Sequence, residues 1–250
     1  MKDLLEIQSV SKSFGGLKAV NQCSFVVKKN SITGLIGPNG AGKTTMFNII
    51  SGLITADSGS IHYKDKNITK SPAHTRANLG LGRTYQAIRI FQELTALENI
   101  IVAFKENKEK LWHSFINHRK NTKNLEKKAM KLLESVNLQE KSNLKGYELS
   151  YGQKKLLEIL RIKANNTDLV LLDEPTAGIN PTLIKQVTEI IRGFQKDGKT
   201  ILIVEHNMPF IMGLCEQIIV MDRGANIAEG KPRQIQNNPQ VLEAYLGSKK

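Results

Sequence analysis

Cysteine is nearly absent: Cys23 and Cys215 are the only two in 250 residues. That is too few for a disulfide framework, and they have no metal-ligand spacing. Histidine is sparse as well, with five in all. His113 and His118 are five apart, which does not set both on one helix face as a spacing of four would, so no zinc pattern is read from them. Long apolar runs are missing. Leu169–Leu172 and Ile201–Val204 are strand-length stretches, far short of the roughly 18 apolar residues a membrane span needs. The opening MKDLLEIQSV carries Asp3 and Glu6 and no apolar h-region, so no signal peptide is expected. Together these absences favour a reducing cytosol. Acidic residues are also in deficit, 23 against 36 Lys and Arg, for a net charge of +13. Such a surface suits plain solubility, nucleic acid or an anionic membrane leaflet, and charge alone does not choose among them.

What is present is an ordered succession of short elements, with no repeat at a period of 20 to 50 residues. LLEIQSV and CSFVVKK in the first thirty residues read as strands with turns between them. From residue 32 the texture changes. ITGLIG, DLVLLDEP, KTILIVEH and QIIVMDRG each hold a short apolar run without polar alternation. That pattern suits strands buried on both faces of a parallel sheet. Helical stretches such as PTLIKQVTEIIRGFQKDG, which ends in a glycine stop, lie between them. The alternation predicts a mainly parallel α/β sheet. Residues 105–131 interrupt it with nine Lys or Arg and three Glu. They read as two surface helices, or a helix and a loop, with a solvated face.

Residues 37–45, GPNGAGKTT, fit G-x-x-x-x-G-K-[ST]. A chance match in a chain of this length is on the order of one in a hundred, and a strand before it and a helix after it remove most of that risk. Gly37, Pro38, Asn39, Gly40, Ala41 and Gly42 form a loop whose backbone N–H groups turn inward as a nest for phosphate oxygens. The helix that starts at Lys43 adds its positive end. Lys43 should bridge the β- and γ-phosphates, Thr44 completes the motif and should reach Mg²⁺, and Thr45 next to it is a further expected ATP contact. The spacing is not G-x-G-x-x-G, so a dinucleotide site is disfavoured. LVLLDEP delivers Asp173 and Glu174 at the carboxyl end of a buried strand, where open α/β sheets bind ligands. Asp173 is the expected Mg²⁺ partner, and Glu174 the group that polarises water for attack on the γ-phosphate. The alternative for Glu174 is a helix cap near Pro175. ILIVEH ends likewise in Glu205 and His206, and His206 is expected to meet the γ-phosphate.

ELSYGQKKLLEIL, residues 148–160, carries a capping box: Ser150 and Gln153 precede an apolar run. Gly152 within the first turn costs roughly 1 kcal/mol against alanine. Lys154 and Lys155 crowd an end that prefers anions. The segment therefore reads as a helix start that lacks an anion.

In combination and in this order, the phosphate loop at 37–45, SYGQ at 150–153, LLDEP and the final EH resemble an ABC-transporter ATP-binding cassette over nearly the whole chain. SFGGLKAV, GRTYQAIRIFQELTALENIIVA, LSYGQ, AGINP and NNPQVLEAYLG resemble the branched-chain amino acid (Liv-type) importer ATPases. The resemblance implies an N-terminal antiparallel β subdomain, a mainly parallel core and an inserted helical subdomain. It implies one cassette, with 1–86 and 160–250 forming the nucleotide-binding core and 87–159 the helical part. It implies that Phe14 stacks on adenine, that Gln86 is catalytic and touches Mg²⁺, that Asn180 stands in the D-loop where Asp is more usual, and that His206 is the switch histidine. ATP and Mg²⁺ are the implied ligands. A second cassette, in a homo- or heterodimer, is implied to supply Ser150, Tyr151, Gly152 and Gln153 in trans. The other implied partners are integral membrane permease subunits and, indirectly, a periplasmic binding protein, at the cytoplasmic face of the inner membrane. No nucleic acid is expected. The competing readings are a urea, amide or lipopolysaccharide transport ATPase, and a soluble ABC ATPase acting on nucleic acid. A small P-loop kinase or GTPase has no need of LSYGQ.

Overall fold

The computed structural model describes residues 2–85, 87–104 and 118–247. Gln86 and the first part of the basic insert lie outside the described residues. Along the chain come β1 (Asp3–Phe14), β2 (Leu17–Lys28), β3 (Ile32–Ile36), α1 (Lys43–Ser51), β4 (Ser58–Tyr63), β5 (Lys66–Asn67), α2 (Ala73–Asn78) and β6 (Leu81–Arg83). After these come α3 (Ala96–Ile101), α4 (His118–Glu134), α5 (Tyr151–Ala164), β7 (Leu169–Asp173), α6 (Pro181–Lys196), β8 (Thr200–Val204), α7 (Met208–Leu214), β9 (Gln217–Asp222), β10 (Ala225–Gly230), α8 (Pro232–Gln236) and α9 (Pro239–Gly247). Two compact units emerge. One comprises Met1–Arg83, Asp168–Glu174 and Phe194–Lys250, the other Thr84–Thr167 and Pro175–Gly193.

The first unit holds both sheets. β2-β1-β4-β5 is antiparallel, and β10-β9-β3-β8-β7-β6 is parallel apart from the β9–β10 hairpin. The apolar runs explain the second order. Every residue of β3, β7 and β8 is buried, as strands covered on both faces must be. The β1–β2 hairpin closes on Gly15-Gly16, with φ of 49 and 88, and pairs Phe14 with Leu17; both central residues of this two-residue turn need positive φ. Met46, Phe47, Ile49 and Ile50 of α1 are fully buried in one core with Leu35, Leu171, Leu202 and Ile219 of the parallel sheet and Leu5 of β1. Each such side chain contributes about 1.5–3 kcal/mol. The carboxyl end of α1 is closed by Arg76, 1% exposed, which donates to Ile49 O at 2.7 Å and Ile50 O at 2.8 Å. Thr69 O and Ser71 O complete its carbonyl cage, and burial lowers its pKa to about 10. A cation at the negative end of a helix is favourable, so α1 is held firmly below the loop that starts it.

The second unit is helical. α3 packs on α4 and α5. Of the insert read as two surface helices or a helix and a loop, residues 118–131 are helical and part of α4 (His118–Glu134). Thr95 and Glu98 form a capping box on α3. Among the described residues no helix is long and apolar enough to cross a membrane.

Candidate active site

β3, β7 and β8 are neighbours in the parallel sheet, so the segments that leave their carboxyl ends gather at one edge. After β3 the chain turns through Gly37–Gly42. A Cβ on Gly37, φ 152, would meet Met221 O at 2.0 Å, and one on Gly42, φ 94, would meet Ala19 O at 2.2 Å. Both contacts are with backbone, so the loop's path depends on these two glycines. Asn39 and Gly40 are exposed at its crest, Pro38 is half-buried and Ala41 is buried. α1 then starts without a side-chain cap and without an acid in its first turn. Its leading N–H groups thus face an anion site with no carboxylate of the helix competing. Thr44 is exposed there and Thr45 half-buried.

The Lys43 side chain folds back under the loop, donating to Gly37 O at 2.7 Å and Pro38 O at 2.9 Å. Burial lowers its pKa, and the nearby Glu174 carboxylate works against that. The ammonium is thus already desolvated beside the loop, which strengthens its pull on an anion.

After β7 the two carboxylates separate. Asp173 is 3% exposed and accepts from Arg83 Nη2 at 2.9 Å. Glu174 takes φ 47, a left-handed conformation that costs a side-chain-bearing residue about 1–2 kcal/mol. Its N–H still bonds Val204 O at 2.9 Å, so the strand's ladder extends one residue while the side chain is re-aimed. Its Oε1 lies 3.1 Å from His206 Nε2. It caps no helix: a turn comes next, and the next helix begins at Pro181. After β8, Glu205 Oε2 accepts from the N–H groups of His206 at 2.8 Å and Asn207 at 3.1 Å. Asn207 caps α7 through Phe210 N at 3.2 Å. That sharp, doubly bonded turn places His206 opposite Glu174. Lys43, Asp173, Glu174 and His206 therefore belong to one sheet edge. An anion donor site, a fixed carboxylate and a second carboxylate 3.1 Å from a histidine nitrogen suit proton abstraction beside a phosphate.

Sequence reasoning missed Arg83. It ends β6, a three-residue strand not read from the sequence, which pairs with β7. A cation is rarely buried without a carboxylate. Phe14 is 46% exposed at the end of β1, with the Lys12 ammonium 5.5 Å from its ring centroid. Among the described residues no three His, Cys, Asp or Glu converge as a dedicated metal cage. The oxygen donors at this edge, the Thr44 hydroxyl and the Asp173 carboxylate, fit Mg²⁺, which is held through few protein ligands together with phosphates.

The second unit carries the other expected segment. Ser150 N donates to Gln153 Oε1 at 2.9 Å and Gln153 N to Ser150 Oγ at 3.4 Å, so the capping box is present. The two lysines turn to carbonyls: Lys154 to Tyr147 O at 3.3 Å and Lys155 to Ala177 O at 2.9 Å. A Cβ on Gly152 would meet Leu183 Cδ1 at 2.2 Å, so this glycine lets the start of α5 approach α6. Tyr151 lies against Gly178, where a Cβ would be 3.1 Å from its Cε1. Asn180 caps α6 through Leu183 N at 2.9 Å, a role the more usual Asp fills equally well.

Residues 20–177 match the family model described as ABC transporter, and residues 225–250 match that described as Branched-chain amino acid ATP-binding cassette transporter. The chain is similar to the "Probable branched-chain amino acid transport ATP-binding protein LivG" of Archaeoglobus fulgidus, 40% identical over 98% of this chain and 96% of that protein. It is 37% identical to the high-affinity branched-chain amino acid transport ATP-binding protein LivG of Escherichia coli K12, over 98% of each. Among solved structures, the ADP conformation of MJ1267, an ATP-binding cassette of an ABC transporter, matches with a TM-score of 0.84 and 32% identity, over 99% of this chain and 100% of that one.

Proposed function

This chain belongs to the ABC transporter family of ATP-binding proteins, in the branched-chain amino acid (Liv-type) group, and on that premise we propose that it is the ATP-hydrolysing motor subunit of a branched-chain amino acid importer. The observation that carries the reading is the Glu174–His206 contact of 3.1 Å at the sheet edge that also holds Lys43 and Asp173. ATP binds with its phosphates on loop 37–45 and the N-terminus of α1, and Phe14 stacks on the adenine. Lys43 then shares its ammonium between the loop carbonyls and the β- and γ-phosphates. Glu174 orients a water and takes its proton, and His206 holds that carboxylate and reaches the γ-phosphate. Thr44, Asp173 and Gln86 would hold Mg²⁺, which supplies neutralisation of the phosphate charge.

Half of each site comes from another cassette. Ser150, Tyr151, Gly152 and Gln153 of one subunit face the γ-phosphate held by the other, and segment 87–104 passes the motion to membrane permeases at the inner face of the membrane. A periplasmic binding protein delivers the substrate. The test is reconstitution with the permeases: ATP turnover should rise with a binding protein loaded with leucine, isoleucine or valine. A rise only with a urea- or amide-loaded protein would overturn the substrate, and tight, salt-sensitive RNA or DNA binding without permeases would favour the nucleic-acid reading.

Ser150 separates a helix cap from a phosphate contact. Ser150→Ala should cost about 1 kcal/mol of stability through the lost cap, read as a lower melting temperature, and should slow turnover of the dimer. Ser150→Asp restores a good cap but sets a carboxylate against phosphate. It should melt like the native protein and remain slow. Recovery of turnover with Asp would leave the cap as the whole explanation.

A further inference from the structure

We propose that Arg83 is the positioning residue for Asp173, holding that carboxylate in register with the helix that begins at the phosphate loop. The proposal rests on the reading of Asp173 as the carboxylate that serves the Mg²⁺–nucleotide. The Arg83 guanidinium joins two elements. Nη2 donates to Asp173 Oδ2 at 2.9 Å at the end of β7, and Nη1 donates to Asn48 Oδ1 at 2.8 Å and Ser51 Oγ at 2.8 Å on α1. The pair is sealed from solvent, with the two side chains 5% and 4% exposed, and the guanidinium carbon lies 5.5 Å from the centroid of the Phe47 ring, also on α1.

A planar fork explains the choice of residue. One guanidinium nitrogen serves α1 while another serves β7, so both elements are fixed by one rigid group; a lysine ammonium is a point charge on a flexible stem. The pair is costly to bury unless hydrogen bonds compensate it, and here the two polar side chains of α1 accept two of them from Nη1. α1 carries Lys43 and Thr44 at its other end. The carboxylate's position is therefore referred to the same helix that presents the phosphate site.

The test measures binding of a fluorescent ATP analogue to the purified chain, with Mg²⁺ and with EDTA. Mg²⁺ should tighten binding to the native protein, and Asp173→Asn should abolish that gain. Arg83→Met should reduce the gain at least tenfold while leaving affinity in EDTA within about twofold, because the loop and Lys43 are untouched. Arg83→Lys should fall between, since it keeps charge and loses the fork. The Asn48→Ala, Ser51→Ala double variant keeps both ionic partners and removes the anchors on α1; it should also lose part of the gain, and it decides the matter if Arg83→Met does not fold. A full Mg²⁺ gain in Arg83→Met, or in the double variant when it stands in, overturns the proposal and leaves the reading of Asp173 intact. A full gain in Asp173→Asn overturns that reading and the proposal with it. Parallel loss of affinity with and without Mg²⁺, together with a lower melting temperature, would make Arg83 a structural tie only and would overturn the positioning role.

Discussion

Glu174→Gln is expected to lower ATP hydrolysis by about 10²- to 10⁴-fold, the range a positioned general base contributes, while ATP binding persists. The amide is isosteric, so the left-handed turn at φ 47 and the N–H bond to Val204 O remain. His206 Nε2, now 3.1 Å from the carboxylate oxygen, meets an amide oxygen instead and keeps its place. What is lost is the capacity to accept a proton. The prediction extends to assembly. To shift an open-to-closed equilibrium from 1:99 to 99:1, ATP must favour the closed pair by about 5.5 kcal/mol, and hydrolysis is what removes that preference. The variant should therefore elute as a stable dimer in ATP and as monomer without it. Phosphate release and size-exclusion chromatography check both parts. Undiminished turnover would remove Glu174 from the chemistry.

Lys43→Ala is expected to weaken ATP binding by about 10- to 100-fold, the loss of one hydrogen bond to a charged group of about 1.5–3 kcal/mol. The loss has two sources. The γ-phosphate loses its cation, and Gly37 O and Pro38 O lose the donor that now reaches them at 2.7 and 2.9 Å. Two carbonyls without a donor beside a phosphate add repulsion to the missing attraction. Lys43→Arg should not restore affinity, because a planar guanidinium fork does not substitute for a compact ammonium that reaches both loop carbonyls. Equilibrium titration with a fluorescent ATP analogue reads both variants, and native-like affinity in the alanine variant would discard the assignment.

The parallel sheet was legible because strands covered on both faces have no polar alternation: β3, β7 and β8 are short, mostly apolar stretches buried throughout. The capping box at Ser150 was legible for a similar reason, since both halves of it are local and three residues apart. The features that escaped are made by chain segments distant in sequence. Arg83 and Asp173 are 90 residues apart, and no local pattern states that the two will share a buried hydrogen bond. The role of Tyr151 was hidden likewise, because Gly178, on which its ring lies, arrives only after the rest of α5 and strand β7. The second compact unit shows the same thing at larger scale: it recovers residues 175–193 after the chain has left to build β7. Local rules read the elements; non-local partners remain unread until the topology is known.

The left-handed backbone of Glu174 has a consequence for how this protein tolerates change. Glycine and asparagine occupy φ near 47 with least strain, yet neither takes a proton from water. At this position, the residues most comfortable in the fold are those least able to act as the base proposed for Glu174. Selection for heat resistance alone would therefore drift toward a cassette that folds better and does no work, a stability–activity trade-off concentrated in one torsion angle.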